Sequence, residues 1–267
     1  MKCPFEKLSV VNSFLLLYHV FDILEPMKLK VMSWNIWQGK YFDKIIETIK
    51  TNQPDIIGLL EVDEGITTNT ADMIAKKFGY YQAYYRTFEK NRDGEHYLQG
   101  NAILSKFKII AKSLSWLNRD IVFDGTSKTE PRAVVQIKSV INNRQLNIFA
   151  THLAHIHNFG ESKIQMIQTE ELLKKIPENN SLLMGDFNVL PKSKIIKKIE
   201  KVLLNTDSIK DKNTWSVYPK GHKGCKLTGL DYRLDYIFTS IDIKTLGFET
   251  IDSKGSDHLP VMAIVEV

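Results

Sequence analysis

An α/β protein with mixed sheets is the fold class this sequence predicts, on three observations. Short apolar runs bounded by turn residues alternate with stretches of helical period, as expected where helices separate strands. Other neighbouring runs are joined as a hairpin is, with Asn142-Asn143 between Ala133 to Val140 and Gln145 to Ala150. Neither an internal repeat nor a Gly/Ser-rich or Pro-rich linker divides the 267 residues, so one domain with a large core is expected.

In chain order, Leu29 to Trp34 reads as a buried strand ending in Asn35. Ile45, Ile46 and Ile49 share one helical face, and Pro54 stops that segment. Asp55 to Leu60 is a second buried strand that closes on Glu61. Ala71 to Phe78 is helical, with Gly79 as its C-terminal signal. The aromatic stretch Tyr80 to Phe88 alternates as a strand with one face in the core, and its tyrosines are also of a type that stacks bases. A polar loop from Glu89 to Glu95 is expected before the strand Asn101 to Ser105. Further strands are Ile109 to Leu114, the two runs of the hairpin, Leu182 onward, Asp235 to Thr239, Ile243 to Phe248 and Val261 to Val267. Ile164 to Ile176 and Ile195 to Leu203 carry the helical period.

Residues 1–26 stand outside this pattern and are expected to be an N-terminal extension, with the domain running over 27–267. Phe14 to Leu17 is apolar, but Asn12, His19 and Asp22 interrupt the surrounding stretch, which is too short and polar to read as a membrane span. An amphipathic helix, a weak membrane-surface anchor, or a segment upstream of a natural start at Met27 are the readings it supports. The last is preferred because Met27 to Val31 opens directly into a strand pattern.

The composition, 43% hydrophobic and 25% charged, is that of a globular rather than a disordered chain. A net charge of +5 favours an anionic substrate or surface without naming one. Cys3 and Cys225 form no spaced pair, which argues against a disulfide framework or a thiolate metal site and for a reducing, cytoplasmic setting.

Leu182-Leu183-Met184-Gly185-Asp186-Phe187-Asn188 carries the first chemical signal. If the strand continues, the period of two puts Asp186 and Asn188 on one face and Phe187 on the other. A strand running into an Asx turn explains the same residues. Several other apolar runs also end in polar groups suited to a phosphate or a cation: Asn35, Glu61, His152, and Asp257 with His258. The inventory is rich in oxygen and free of thiols, so a hard divalent cation, Mg2+ or alternatively Mn2+, suits it. Two histidines among carboxylates admit zinc, but no close ligand spacing such as HExxH supports it.

Ser33-Trp34-Asn35, Leu60-Glu61-Val62, Gly100 to Ser105, Thr151-His152-Leu153, Gly185 to Asn188, Leu234 to Phe238 and Ser256 to Pro260 follow one another in an order that resembles the endonuclease/exonuclease/phosphatase superfamily. The resemblance runs from about Lys28 to the C-terminus. Each motif is weak alone; the ordered set is specific. It implies a deoxyribonuclease I-like four-layer sandwich of two packed, mostly antiparallel or mixed sheets flanked by helices. It also implies a metal-dependent hydrolase of phosphoester bonds that uses metal-activated water. Glu61 then resembles the principal metal ligand, with Asn35 and Asp257 as further polar contacts to the ion. Asp186 resembles the residue that orients and activates water, and Asn188 would hold a phosphate oxygen or that water. His258 would support the transition state with Asp235 as its buttress, and His152 would contact the phosphate or assist the leaving group. The same resemblance suggests Asn101 and Arg132 as substrate contacts, and gives Thr214-Trp215 a structural role or a place in the wall of the site. His155 and His157 follow the histidine motif as loop residues.

The histidine of Thr151-His152-Leu153 departs from the apurinic endonuclease pattern and leans towards the deoxyribonuclease I, sphingomyelinase and tyrosyl-DNA phosphodiesterase members. A nuclease-like phosphodiesterase is therefore expected, with a phospholipid or sphingolipid headgroup phosphodiesterase, or a phosphatase of a small phosphorylated molecule, as alternatives. Its partner is a phosphoester, nucleic acid among the candidates. A membrane surface would suit Phe14 to Leu17 and Trp116, and no obligate protein partner is implied. Lys192, Lys194, Lys197, Lys198 and Lys201, with Lys210, Lys212, Lys220, Lys223 and Lys226 after them, could serve nucleic acid or simply solvate a helix and a loop.

Overall fold

Apolar faces on both sides of most strands require cover on both sides, and two stacked sheets with outer helices supply it. The computed structural model describes residues 25–92, 95–118, 131–156, 159–209, 211–221 and 227–267. The expected extension therefore falls almost wholly outside the described residues, as do His157, Lys210, Lys223 and Lys226.

The first sheet contains β1 (Lys28–Asn35), β2 (Ile56–Asp63), β3 (Tyr81–Arg92), β4 (Glu95–Ser105), β11 (Lys244–Thr250) and β12 (Val261–Glu266), in the order β11-β12-β1-β2-β4-β3. The second contains β5 (Ile109–Trp116), β6 (Ala133–Ile141), β7 (Arg144–His152), β8 (Ser181–Asp186), β9 (Leu204–Asn205) and β10 (Asp235–Thr239), in the order β5-β6-β7-β8-β10-β9. Each sheet has one parallel pair, β1 with β2 and β7 with β8, among antiparallel ones. The two sheets are mixed, as the sequence predicts.

The central core lies between them. Val31, Ile56, Leu60 and Ile103 of the first sheet meet Val135, Ile148, Met184 and Ile237 of the second. On the outer face of the first sheet, α1 (Phe42–Asn52) and α2 (Thr70–Phe78) press Ile45, Ile49 and Ile74 onto Met32, Trp34 and Leu59. On the outer face of the second, α3 (Lys163–Leu173) and α4 (Lys194–Ile199) press Leu172, Ile195 and Ile199 onto Phe149, Leu183 and Tyr236. This is a four-layer sandwich. Among the described residues no helix is long and apolar enough to cross a membrane.

Local signals hold where they have a backbone cause. Gly79 caps α2 in the left-handed region at φ 73°, and Asn142 and Asn143 turn the β6–β7 hairpin with φ of 52° and 59°. The expected polar loop from Glu89 to Glu95 is instead the end of a long hairpin, since β3 runs to Arg92 and pairs with β4 from Glu95. Polar composition misleads there because the ladder is made by backbone groups, which polar residues supply as well as apolar ones. Helix α3 stops at Leu173 rather than Ile176, ahead of Pro177, whose ring disfavours helical backbone before it. Helix α4 ends at Ile199, and hydrogen bonds from the Val202 and Leu203 amides to the Ile199 carbonyl bring Leu203 into the core without extending it.

Gly185 shows how tightly the strand ends are packed. A Cβ there would lie 2.0 Å from the Thr151 carbonyl oxygen of the neighbouring β7. Gly185→Ala should therefore cost about 3 kcal/mol or more, because backbone rather than a flexible side chain must yield. A urea midpoint within experimental error of wild type would show that the β7–β8 pair can open there.

Candidate active site

Strand register delivers the chemistry to one end of the sandwich. In the second sheet His152 pairs with Asp186 across the parallel β7–β8 ladder, and Asp186 pairs with Asp235 across the antiparallel β8–β10 ladder. A histidine and two carboxylates thus stand side by side at one level. The first sheet brings Asn35 to the same end on β1, and the loop before β12 brings Asp257 and His258.

Glu61 arrives by a different device. Between the pairs Leu59–Ala102 and Val62–Gly100 the β2–β4 register shifts by a bulge, and Glu61 sits at φ 52°. Such a bulge re-aims one side chain at the cost of left-handed backbone in a non-glycine residue. Asn188 is also left-handed, at φ 51°, and its amide donates to Asp186 Oδ1 at 3.0 Å. Asp186 ends its strand in an Asx turn, so it is the turn, not continued strand alternation, that brings Asn188 beside it. Phe187 points away into the outer core against Tyr236 and Phe238.

The polar groups form one network across both sheets. Asn35 Nδ2 donates to Glu61 Oε1 at 3.0 Å and to Asp186 Oδ2 at 3.1 Å, while its Oδ1 accepts from the Trp37 amide. Asn188 Nδ2 lies 2.9 Å from His152 Nε2 and donates to the Leu153 carbonyl at 3.1 Å. His258 Nδ1 lies 2.9 Å from Asp235 Oδ2, and its Nε2 faces Asp186 Oδ2 at 3.7 Å. His152 Nε2 is 3.4 Å from the same Asp186 oxygen. Asp257 Oδ2 accepts from Trp215 Nε1 at 2.9 Å and its Oδ1 from Ser256 Oγ at 3.1 Å.

Burial and neighbours drive the two histidines apart. Burial holds His152 well below the usual imidazole range, and the Arg132, His258 and His155 charges push the same way. Burial also acts to lower His258, but the Asp235 and Asp186 carboxylates and the hydrogen bond to Asp235 outweigh it, so its pKa is raised well above that range. The two rings are thus biased towards opposite protonation states. With a neutral ring, the Asn188 donor makes His152 Nε2 the acceptor and places its hydrogen on Nδ1. Burial pushes Asp186 up to about 7, with His258 pulling it back and Asp235 adding to the rise.

A cation fits at Glu61. That residue is half-exposed, yet its carboxyl is enclosed closely enough that burial raises its pKa, and the charge of Asp257 raises it further. Two acids that disfavour each other's ionisation in a low-dielectric site are what a divalent ion relieves. Asp186, Asp235 and His258 also place ligand atoms within 4.8 Å of one another. The direct His258–Asp235 hydrogen bond already engages two of that trio, whereas Glu61 and Asp257, whose charges act on one another, offer oxygen donors alone. Asn35 turns its amide nitrogen to the carboxylates and in this orientation positions Glu61.

Asn101 opposes the bulge, is 2% exposed, and its Nδ2 has no hydrogen-bond partner among the described residues. That is a donor left over for a ligand. Arg132 is close enough for its charge to act on both Glu61 and His152. Exposed His155 brings Nδ1 within 3.4 Å of Asn188 Oδ1. Thr214 Oγ1 accepts from the Leu234 amide while Trp215 holds Asp257, so this pair braces the site from behind. Gln165 on α3 was not singled out by its sequence context. It is fully buried, and its Nε2 donates to the Ala154 and Asn188 carbonyls, tying the histidine strand to the Asx turn. Ser162 and Gln165 form a capping box, and that Ser-x-x-Gln spacing was a readable signal for the helix start. On α4, Lys194 and Lys197 are solvent-facing, as is Lys201 just beyond it, and Lys198 pairs with Glu170 at 2.9 Å, which fits a solvated helix face.

No curated protein matches the sequence. Among solved structures, an endonuclease/exonuclease/phosphatase from Beutenbergia cavernae superposes with a TM-score of 0.72 at 19% identity, over 90% of this chain and 72% of its own. A mannosyl-6-phosphatase from Bacteroides thetaiotaomicron gives 0.67 at 18% identity, over 89% and 99%. The human nocturnin catalytic domain with bound sulfate gives 0.61 at 22% identity, over 89% and 93%. At these identities the likeness establishes the fold. The sequence model described as the Endonuclease/Exonuclease/phosphatase family matches residues 32–258, most of the chain, from before Asn35 to His258. The chain belongs to the endonuclease/exonuclease/phosphatase family, whose members hydrolyse phosphoesters.

Proposed function

We propose that this protein is a Mg2+-dependent phosphodiesterase in which Asp186 positions and deprotonates the attacking water. The observation that supports this most is the geometry that sets Asp186 Oδ2 between two buried histidines, 3.4 Å from His152 Nε2 and 3.7 Å from His258 Nε2, whose surroundings bias them in opposite directions. Environments that split the protonation of like groups assign acid and base roles. A carboxyl pushed up to about 7 accepts a proton near neutral pH more readily than an ordinary aspartate does. His258, protonated and held at Nδ1 by Asp235, turns its Nε2 hydrogen towards charge developing on the phosphoryl oxygens. The proton taken from water rests on Asp186, while His152 Nε2, 3.4 Å from Asp186 Oδ2 and engaged by Asn188 Nδ2, fixes the Asn188 side chain beside the base. Asn101 offers an amide donor to the phosphate, and Arg132 supplies positive charge at the same end of the sandwich.

Glu61 and Asp257 would hold the ion, with Asn35 orienting Glu61. When bound, a hard divalent cation neutralises phosphate charge and polarises the phosphorus–oxygen bonds. Purified protein should hydrolyse bis-(p-nitrophenyl) phosphate with Mg2+, lose the activity in EDTA and regain it on adding the metal back. Glu61→Gln should raise the Mg2+ concentration needed for half-maximal rate by about 10- to 100-fold. Hydrolysis that persists unchanged in EDTA would remove the metal from the reading.

A further inference from the structure

We infer that Trp215 is a positioning residue for the divalent cation: its indole holds the Asp257 carboxylate in place beside Glu61 and so sets how tightly the site binds its ion. The inference rests on the reading above for Glu61 and Asp257 as the ligands, and on separate observations for the indole.

Trp215 Nε1 donates to Asp257 Oδ2 at 2.9 Å, and both residues are buried, at 7% and 6% exposed. Ser256 Oγ donates to the other oxygen, Oδ1, at 3.1 Å. The charge of Asp257 acts to raise the Glu61 pKa, so the two carboxylates repel each other when both are ionised. A carboxylate free to rotate would turn away from such a neighbour. One held by a donor stays, so the two like charges are brought together in folding rather than at ion binding. An indole N–H suits the task because it donates and never accepts, which favours the ionised carboxylate that a cation needs.

The indole is itself fixed. Trp215 and Tyr232 exchange backbone hydrogen bonds of 2.8 Å. The Leu259 amide donates to the Thr214 carbonyl and the Val217 amide to the Asp257 carbonyl, each at 2.8 Å. The segment 214–217 is thus laced to the loop that carries Asp257, and Phe159 packs edge-on against the Trp215 ring at 5.0 Å and 73°. A second tryptophan supplies the contrast. Trp34 Nε1 donates to the His258 carbonyl at 2.9 Å. Two indoles therefore hold two adjacent residues, Trp215 by a carboxylate that would touch the ion and Trp34 by backbone.

Titration of the full chain with Mn2+ alone, without substrate, tests this through the loss of the free-ion electron paramagnetic resonance signal. Trp215→Phe keeps a ring against Phe159 and Tyr232 but removes the donor, and it should weaken Mn2+ binding about 10- to 100-fold. In an Asp257→Asn background the same change should have almost no effect, because the indole acts through that carboxylate. Trp34→Phe removes a donor from the same loop and should shift the affinity far less, which separates holding the ligand from holding the loop. Unchanged Mn2+ affinity in Trp215→Phe, an equal loss with or without the Asp257 carboxylate, or an equal loss in Trp34→Phe would each overturn the inference alone. Wild-type protein that binds no Mn2+ would overturn the metal-dependent reading and the inference with it.

Discussion

Asp186→Asn is expected to lower kcat by about a thousandfold while the protein stays folded, since a positioned general base contributes about 100- to 10,000-fold. The amide is nearly isosteric, and its oxygen can still accept from the Asn188 amide, so the Asx turn survives. What is lost is the basic oxygen beside His258 and His152. The same change should alter stability with a definite sign. The Asp186 pKa is raised on folding from 3.8 to about 7, first by burial, so the folded state binds this proton more tightly than the unfolded chain. Its contribution therefore becomes less favourable as pH rises from about 4 to about 7. In EDTA, Asp186→Asn should melt above wild type at pH 8, and the gap should shrink towards pH 4. Near-wild-type turnover in the variant would reject Asp186 as the base. A melting difference independent of pH would reject the burial argument.

His258→Ala should lose activity to a similar degree, and it should also unfold more easily. Asp235 is fully buried, its Oδ2 is held by His258 at 2.9 Å, and its Oδ1 has no hydrogen-bond partner among the described residues. Removing the imidazolium strands that charge, which costs about 3–5 kcal/mol for a buried pair broken on one side. Adding Asp235→Asn to His258→Ala removes the stranded charge, so the double variant should recover much of the stability and none of the rate. Chemical denaturation of the single and double variants, with diester hydrolysis measured alongside, separates the two roles. If the double variant is no more stable than His258→Ala, the carboxylate is not the source of the defect.

Much of the architecture was legible because its causes are local. Period-two and period-3.6 patterns marked the strands and helices, and Gly79 and Asn142-Asn143 have backbone conformations that few residues take. The end of the long β3–β4 hairpin was not legible, since its pairing is made by backbone groups and the polar run Glu89 to Glu95 carries no apolar alternation to read. The residues Asn35, Glu61, His152, Asp186, Asn188, Asp235, Asp257 and His258 could be named in advance because polar groups that end apolar runs are conspicuous, and because their order resembles a family. Their partners could not. Trp215 holding Asp257, and Gln165 holding the Asn188 turn, depend on contacts between segments 42 and 23 residues apart.

The sequence by itself determined the α/β class, the ordered motifs and the oxygen-rich chemistry of the site, all of which are properties of residue type and spacing. Only the tertiary structure decided that Asp186 and Asn188 meet through an Asx turn, that a bulge aims Glu61, and that the two histidines are biased towards opposite protonation states. Those depend on strand register and on burial among neighbours distant in sequence, which the type and spacing of residues along the chain do not encode.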